Sequence, residues 1–289
     1  MRTAADIAAL QARHGLTYHI PFCEQADSLV GLRGQRVLEV GGSLPEDLVL
    51  GTYGAARWVA VEESDYWDET LSTGHVQGTP PAETAVRRRL SEATRESLQP
   101  HQVLFGRIEE LPLSLQGQFD VVFSIAAFEH IAQLPAALEC MRDALRPGGR
   151  LFALFSPLWS SSVGHHLPEI EDAQGRRYNF GQSPIPPWGH LLMRPMEMID
   201  HLVAAGCDLS TARRIVYFVY QSPHISRHFL DDYVEIVQRC SLKPVVVAPV
   251  FEQPVPPAIQ AALEARWPGR SRFAHAGLLL VLERPVTLS

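Results

Sequence analysis

The chain has 289 residues, and 25 Lys+Arg against 32 Asp+Glu give a formal net charge of −7, which argues against a nucleic-acid backbone as its main partner. With 46% hydrophobic and 20% charged residues, the composition is that of a globular protein rather than a disordered or fibrous one. Cys23, Cys140, Cys207 and Cys240 lie far apart with no CxxC pair, which argues against a disulfide framework or a structural zinc site and fits a reducing cytoplasm.

In chain order, Arg36-Val37-Leu38-Glu39-Val40 reads as a strand that runs into Gly41-Gly42-Ser43, with Leu44-Pro45-Glu46-Asp47 opening a helix. A second strand, Arg57 to Val61, ends in Glu62-Glu63. After a polar stretch with Gly74, Gly78 and Pro80-Pro81, a helix is expected from Ala82 to Leu98, with Arg87, Arg88 and Arg89 on a solvated face. Strands follow at Gln102 to Phe105 and at Phe119 to Ser124. Leu134, Leu138, Met141 and Leu145 then recur at helical spacing, and that helix stops before Pro147-Gly148-Gly149. Arg150 to Phe155 makes a fifth strand.

This alternation predicts an α/β fold: a doubly wound, Rossmann-like, mostly parallel sheet with helices on both faces and its ligand at the strands' carboxyl ends. The rhythm breaks between 156 and 241, where helices are expected near Pro195 to Ala205 and Ser226 to Arg239 among proline-rich loops, as suits a substrate cap inserted after the fifth strand. Strands at Pro244 to Phe251 and Ala276 to Leu282, around a helix from Pro257 to Arg266, complete the sheet. The expected division is therefore a core over 1–155 with an N-terminal helical segment, a cap over 156–241, and C-terminal core strands over 242–289. The longest apolar runs are too short to span a membrane, and the N-terminus lacks the apolar run of a secretory signal.

Glycines after a first strand let backbone N–H groups approach a ligand, and an acid closing the second strand can accept both hydroxyls of a ribose. Here the turn lacks the third glycine of a pyrophosphate fingerprint, which suggests an adenosine ligand without a pyrophosphate. The stretches Val37-Leu38-Glu39-Val40-Gly41-Gly42, Val61-Glu62-Glu63-Ser64, Phe119-Asp120-Val121-Val122-Phe123-Ser124 with Phe128-Glu129-His130, and Leu145-Arg146-Pro147-Gly148-Gly149 resemble, in order, the motifs of the class I S-adenosylmethionine-dependent methyltransferases, small-molecule branch. The resemblance covers roughly residues 30 to 156.

It implies S-adenosylmethionine as cofactor, with Gly41 and Gly42 passing the methionine moiety, Glu39 orienting its ammonium and Glu62 holding the ribose. Ile108 would lie against the adenine, and Ser124, Ile125 and Ala126 would floor the sulfonium region. Ser43, Glu63 and Arg107 complete the implied lining. Two positions depart from the family pattern: Ser43 and Pro45 replace later motif glycines, and Arg107 replaces the acid that often precedes the adenine contact.

Methyl transfer needs alignment and exclusion of water, and a hydroxyl acceptor gains from a neighbouring base. His165 and His166 follow the fifth strand and His190 lies on the same insert, so these three are the candidate bases. His130 belongs to the family's Glu-His pair and ranks below them. Glu169, Glu171 and Asp172 lack the spacing of a compact ligand motif, so no metal is expected. The chain has Ser124-Ile125-Ala126-Ala127 where enzymes acting on exocyclic amines of nucleobases commonly carry a Pro-Pro turn. Together with Tyr178, Phe180, Trp188, Tyr217, Tyr220 and His224 on the insert, this points to O-methylation of a small molecule, a sugar or specialised metabolite, with no nucleic-acid or membrane partner and with a homo-oligomer left open. The alternatives are a catalytically inactive, methyltransferase-like binding module and an N- or S-methyltransferase without a base.

Overall fold

The structure is a computed structural model that describes residues 2–63, 88–223 and 225–286. Ser64, Gly74, Gly78, Pro80-Pro81, Arg87, the start of the expected helix at Ala82, and His224 lie outside the described residues.

Two helices, α1 (Ala4–His14) and α2 (His19–Val30), precede the first strand. The strands are β1 (Arg36–Val40), β2 (Arg57–Glu62), β3 (Arg88–Arg89), β4 (His101–Phe105), β5 (Phe119–Ile125), β6 (Leu145–Phe155), β7 (Ile170–Glu171), β8 (Arg177–Tyr178), β9 (Lys243–Glu252) and β10 (His275–Glu283). Eight of them form one sheet in the order β3-β4-β2-β1-β5-β6-β10-β9. Pairing is parallel from β3 through β6, while β10 runs antiparallel to both β6 and β9. The chain builds outward from β1 through β2 to β4, then returns to place β5 on the other side of β1. Doubly wound sheets bind ligands outside the carboxyl ends of the strands at such a reversal, which here lies between β1 and β5.

Both faces are covered, which is why β1 and β2 are buried at consecutive rather than alternate positions. On one face α3 (Leu134–Ala144) buries Leu134, Ala137, Leu138, Met141 and Ala144, spaced three and four apart, against Val122 and Leu151. Each large side chain so buried contributes about 1.5–3 kcal/mol, and Leu138→Ala would cost about 2–5 kcal/mol because its site is closed on all sides. On the other face Ile20, Cys23 and Ala26 of α2 pack with Trp58, Phe123 and Phe152.

Two expected helices differ. Within 82–98, the described part holds the edge strand β3 and two single 3₁₀ turns, Leu90–Glu92 and Arg95–Ser97. Arg88 and Arg89 take up ladder positions opposite Leu104 and Phe105, and Leu90 and Ala93 drop into the core, so pairing at the sheet edge outweighs helix propensity. Beyond Pro45 the chain makes one wide turn of π-helix, Asp47–Thr52, closed by the Tyr53 N–H on the Leu48 carbonyl.

Between β6 and β9 lie the β7–β8 hairpin, the single turn α4 (Gly189–Leu192), and the helices α5 (Pro195–Ala204), α6 (Leu209–Tyr220) and α7 (Leu230–Arg239). A further helix, α8 (Pro257–Arg266), separates β9 from β10. Trp159, Trp188, Leu191, Met198, Ile215 and Val219 form an apolar cluster here, joined by Leu263 and Phe273 from the C-terminal region. Sequence reading missed α6, although Asp208 caps it by accepting the Thr211 N–H at 3.0 Å and Ala212, Ile215, Val216 and Val219 recur on its buried face.

Candidate active site

At the carboxyl end of β1 the backbone turns sharply, with Gly41 at φ +90°. A Cβ at Gly41 would stand 2.1 Å from the Ala127 Cβ, so only glycine lets the loops after β1 and β5 meet. Ser124 ties the same two strands by donating its hydroxyl to the Val40 carbonyl at 2.9 Å. The expected floor of Ser124, Ile125 and Ala126 therefore sits beside Gly41, but the Ser124 hydroxyl is committed to the scaffold. Ala126, with φ +48°, holds a left-handed turn that a non-glycine residue adopts at a cost.

Glu39 is buried beneath this turn. Its Oε2 accepts the Trp58 indole N–H at 2.5 Å and the Leu44 N–H at 3.0 Å, so the carboxyl staples the loop that carries Gly42 and Ser43. No described residue donates to Oε1, which lies 3.2 Å from where a Gly42 Cβ would be. Burial raises the carboxyl to about 7 and nearby Glu62 pushes it the same way, while the two N–H donors pull it down. Glu62 is buried at the end of β2, and its carbonyl accepts the Gly106 N–H at 3.0 Å. Ile108 is buried in the 3₁₀ turn after β4. Arg107 is exposed and reaches Glu63 at 4.0 Å and Glu109 at 3.4 Å, bridging the carboxyl ends of β2 and β4.

An acceptor oxygen of Glu39 at a bare glycine, a buried carboxylate one strand over, and an apolar side chain beyond it match the needs of an ammonium, a ribose and an adenine. These residues fit S-adenosylmethionine. Nothing about them suits a pyrophosphate, since the turn carries no cation.

Past β5, the 3₁₀ turn Phe128–His130 brings Glu129 and His130 to the same edge. Glu129 is 2% exposed; burial lifts it to about 8 against hydrogen bonds from its own N–H and that of Ser156, so it is protonated at neutral pH. No described residue reaches its Oε2. The His130 ring meets the His166 ring edge-on at 5.1 Å. His166, itself left-handed at φ +46°, holds the Pro157 carbonyl at 2.5 Å through Nε2, which fixes the proton there and leaves Nδ1 as the basic nitrogen.

His165 and His190 form a separate, buried pair, with rings 5.6 Å apart and each 1% exposed. His190 holds the Trp159 carbonyl at 2.8 Å, and His165 Nδ1 accepts the Leu167 N–H at 3.2 Å. Burial drives all three candidate histidines down, to about 3 for His165 and His166 and about 4 for His190, so each ring is neutral at physiological pH. The fold therefore brings His166 together with His130 and sets the other two inside the cap cluster.

The acids of the insert are used locally. Arg177 pairs with Glu169 and Glu171, and Asp172 accepts from Arg176 and the Tyr178 hydroxyl. Among the described residues no group of three or more His, Cys, Asp or Glu is placed to hold a metal, and no helix is long and apolar enough to cross a membrane. Tyr178 and Trp188 are buried in the cap cluster, whereas Phe180 and Tyr217 point to solvent.

Residues 62–151 match the family model described as a methyltransferase domain. Over 210 residues the chain is 25% identical to a protein of Acinetobacter baumannii (strain AYE) named ubiquinone biosynthesis O-methyltransferase, covering 71% of this chain and 76% of that protein. A protein of the same name from Marinobacter nauticus is 27% identical over 199 residues, covering 66% and 71%. A solved S-adenosylmethionine-dependent methyltransferase from Mesorhizobium loti aligns over 93% of this chain and 98% of its own, at a TM-score of 0.46 and 14% identity. The chain thus carries a methyltransferase domain over residues 62–151, set in a doubly wound sheet whose strand order reverses beside β1.

Proposed function

We propose that the protein methylates a hydroxyl oxygen of a small molecule, a sugar or specialised metabolite, in a crevice between its core (1–155 with 242–289) and a cap formed by 156–241. The observation that carries this reading is the His130–His166 pair at the carboxyl ends of adjacent parallel strands β5 and β6. A histidine whose Nε2 is held by a carbonyl keeps Nδ1 as its basic nitrogen, which suits an oxygen acceptor, whose proton must leave as the new bond forms. The two relatives named O-methyltransferases support oxygen over nitrogen or sulfur.

In this reading Glu39, Gly41, Gly42 and Ser43 hold the methionine end of the cofactor and Glu62 the ribose. Glu63, Arg107 and Ile108 border the adenine. The bound sulfonium supplies the methyl group for an in-line displacement. The chain's own contribution is alignment, exclusion of water by Trp159, Trp188 and the cap cluster, and acceptance of the acceptor's proton by His166 Nδ1. Keeping its other nitrogen on Pro157 holds the ring in place. His165 and His190 shape the cap.

Steady-state assays against a panel of hydroxylated metabolites, paired with S-adenosylhomocysteine calorimetry, test this. His166→Ala should lower turnover by about 10²-fold while cofactor affinity holds. His165→Ala and His190→Ala should act mainly on thermal stability. Full turnover in the His166 variant would remove the base, and absence of any thermal shift with either cofactor form would leave a non-catalytic binding module.

A further inference from the structure

Trp58 lies second in β2, opposite Val37, and is fully buried. A core position on this face needs only an apolar side chain, and an indole brings an N–H that must find an acceptor once water is gone. Here the acceptor is the Glu39 carboxyl. The ring cannot swing away, because it stands edge-on to Phe123 at 5.2 Å, and Phe123 stacks on Phe152 at 5.8 Å. Trp58 and the Leu44 N–H together occupy Oε2 and turn the other oxygen to Gly42.

From this geometry we propose that Trp58 is a positioning residue of the cofactor site, fixing Glu39 so that its open oxygen receives the α-ammonium of the methionine moiety. The inference rests on the cofactor placement above and assigns a new residue to it.

The arrangement carries a proton consequence. Without ligand the Glu39 carboxyl sits at about 7, so it is partly protonated at neutral pH. The groups facing it are Glu62 from β2 and Cys23 from α2, with Glu24, Asp27 and Arg2 around Cys23, while β5 offers the apolar Phe123. None supplies a cation at hydrogen-bond distance to the carboxyl. A ligand ammonium does, so its binding favours the carboxylate and releases the remaining proton to solvent.

Calorimetry with two probes separates this role from simple packing: S-adenosylhomocysteine, which carries the ammonium, and 5′-methylthioadenosine, which does not. For the parent protein, S-adenosylhomocysteine affinity should rise by up to about tenfold per pH unit below about 7 and level off above it, with 5′-methylthioadenosine insensitive. In Trp58→Phe, S-adenosylhomocysteine should bind about tenfold more weakly at pH 7 and reach its plateau at higher pH, with 5′-methylthioadenosine unchanged. Equal weakening of both ligands, or an unshifted profile, overturns the proposal.

Should Trp58→Phe not fold, the indole N–H resonance of the parent protein decides. Assigned through Glu39→Gln, it should move on adding S-adenosylhomocysteine and stay put with 5′-methylthioadenosine, and indifference to both while both bind overturns the role. If neither compound binds the parent protein, the cofactor placement itself fails and this inference falls with it.

Discussion

The two edges of one sheet treat carboxylates in opposite ways. At the amino-terminal edge Asp120, the second residue of β5, accepts from the Arg36 backbone N–H and side chain at 2.9 Å and from Arg146 at 2.5 Å, which clamps β1, β5 and the start of β6. Burial alone would raise that carboxyl, but the hydrogen bonds from the two arginines override it and bring it to about 2. At the carboxyl edge Glu39 and Glu129 have no arginine beside them among the described residues and sit at about 7 and about 8. The first edge is closed by charge, and the second leaves these two carboxyls without a paired cation among the described residues, as the proposed ammonium site requires of Glu39.

The sharpest way to break this contrast is Glu62→Ala. Loss of two charge-assisted hydrogen bonds to a ribose should weaken S-adenosylhomocysteine binding by two orders of magnitude or more, on the order of 3 kcal/mol, with little change in melting temperature. Calorimetry reporting unchanged affinity would take Glu62 out of the site. Asp120→Asn should do the reverse, costing about 2 kcal/mol of stability and a few degrees of melting temperature while ligand affinity is kept. Because its folded pKa is depressed, this contribution is present above the usual carboxylate range and fades as pH falls toward 2. Parent and variant should therefore converge in acid unfolding experiments.

Glu129 gives the smaller and opposite pH signature. Its folded pKa is raised, so the protonated form is favoured, and the stability it confers is whole below about 4.5 and lost as pH climbs toward 8. Glu129→Gln keeps the neutral shape without that loss. Melting curves should show the variant equal to the parent near pH 5 and ahead of it by about 1 kcal/mol or more near pH 8. A variant less stable at both would mean that the carboxyl is ionised in the folded protein.

Local order carried much of the architecture into the sequence. The β1 and β2 runs, the stripe of Leu134, Leu138 and Met141, and the helix beginning at Pro257 were legible because burial on both sides, or on one stripe, imposes composition directly. The placement of Glu39, Gly41 and Glu62 at strand ends was legible for the same reason. The helix expected within 82–98 was not realised in its described part, where pairing with β4 supplied backbone partners that propensity could not anticipate. Helix α6 had its cap and stripe in plain view but stood among loops that masked them.

The order of motifs along the chain was enough to anticipate the sheet and its methyltransferase domain, because each depends on neighbours in sequence or on the period of a strand or helix. Which of three histidines meets His130, which of its nitrogens holds a carbonyl, and that an indole from the next strand holds Glu39 all depended on the tertiary structure. Those facts arise from side chains far apart in sequence that share one desolvated space, where a proton's position is set by whichever partner packing places within reach.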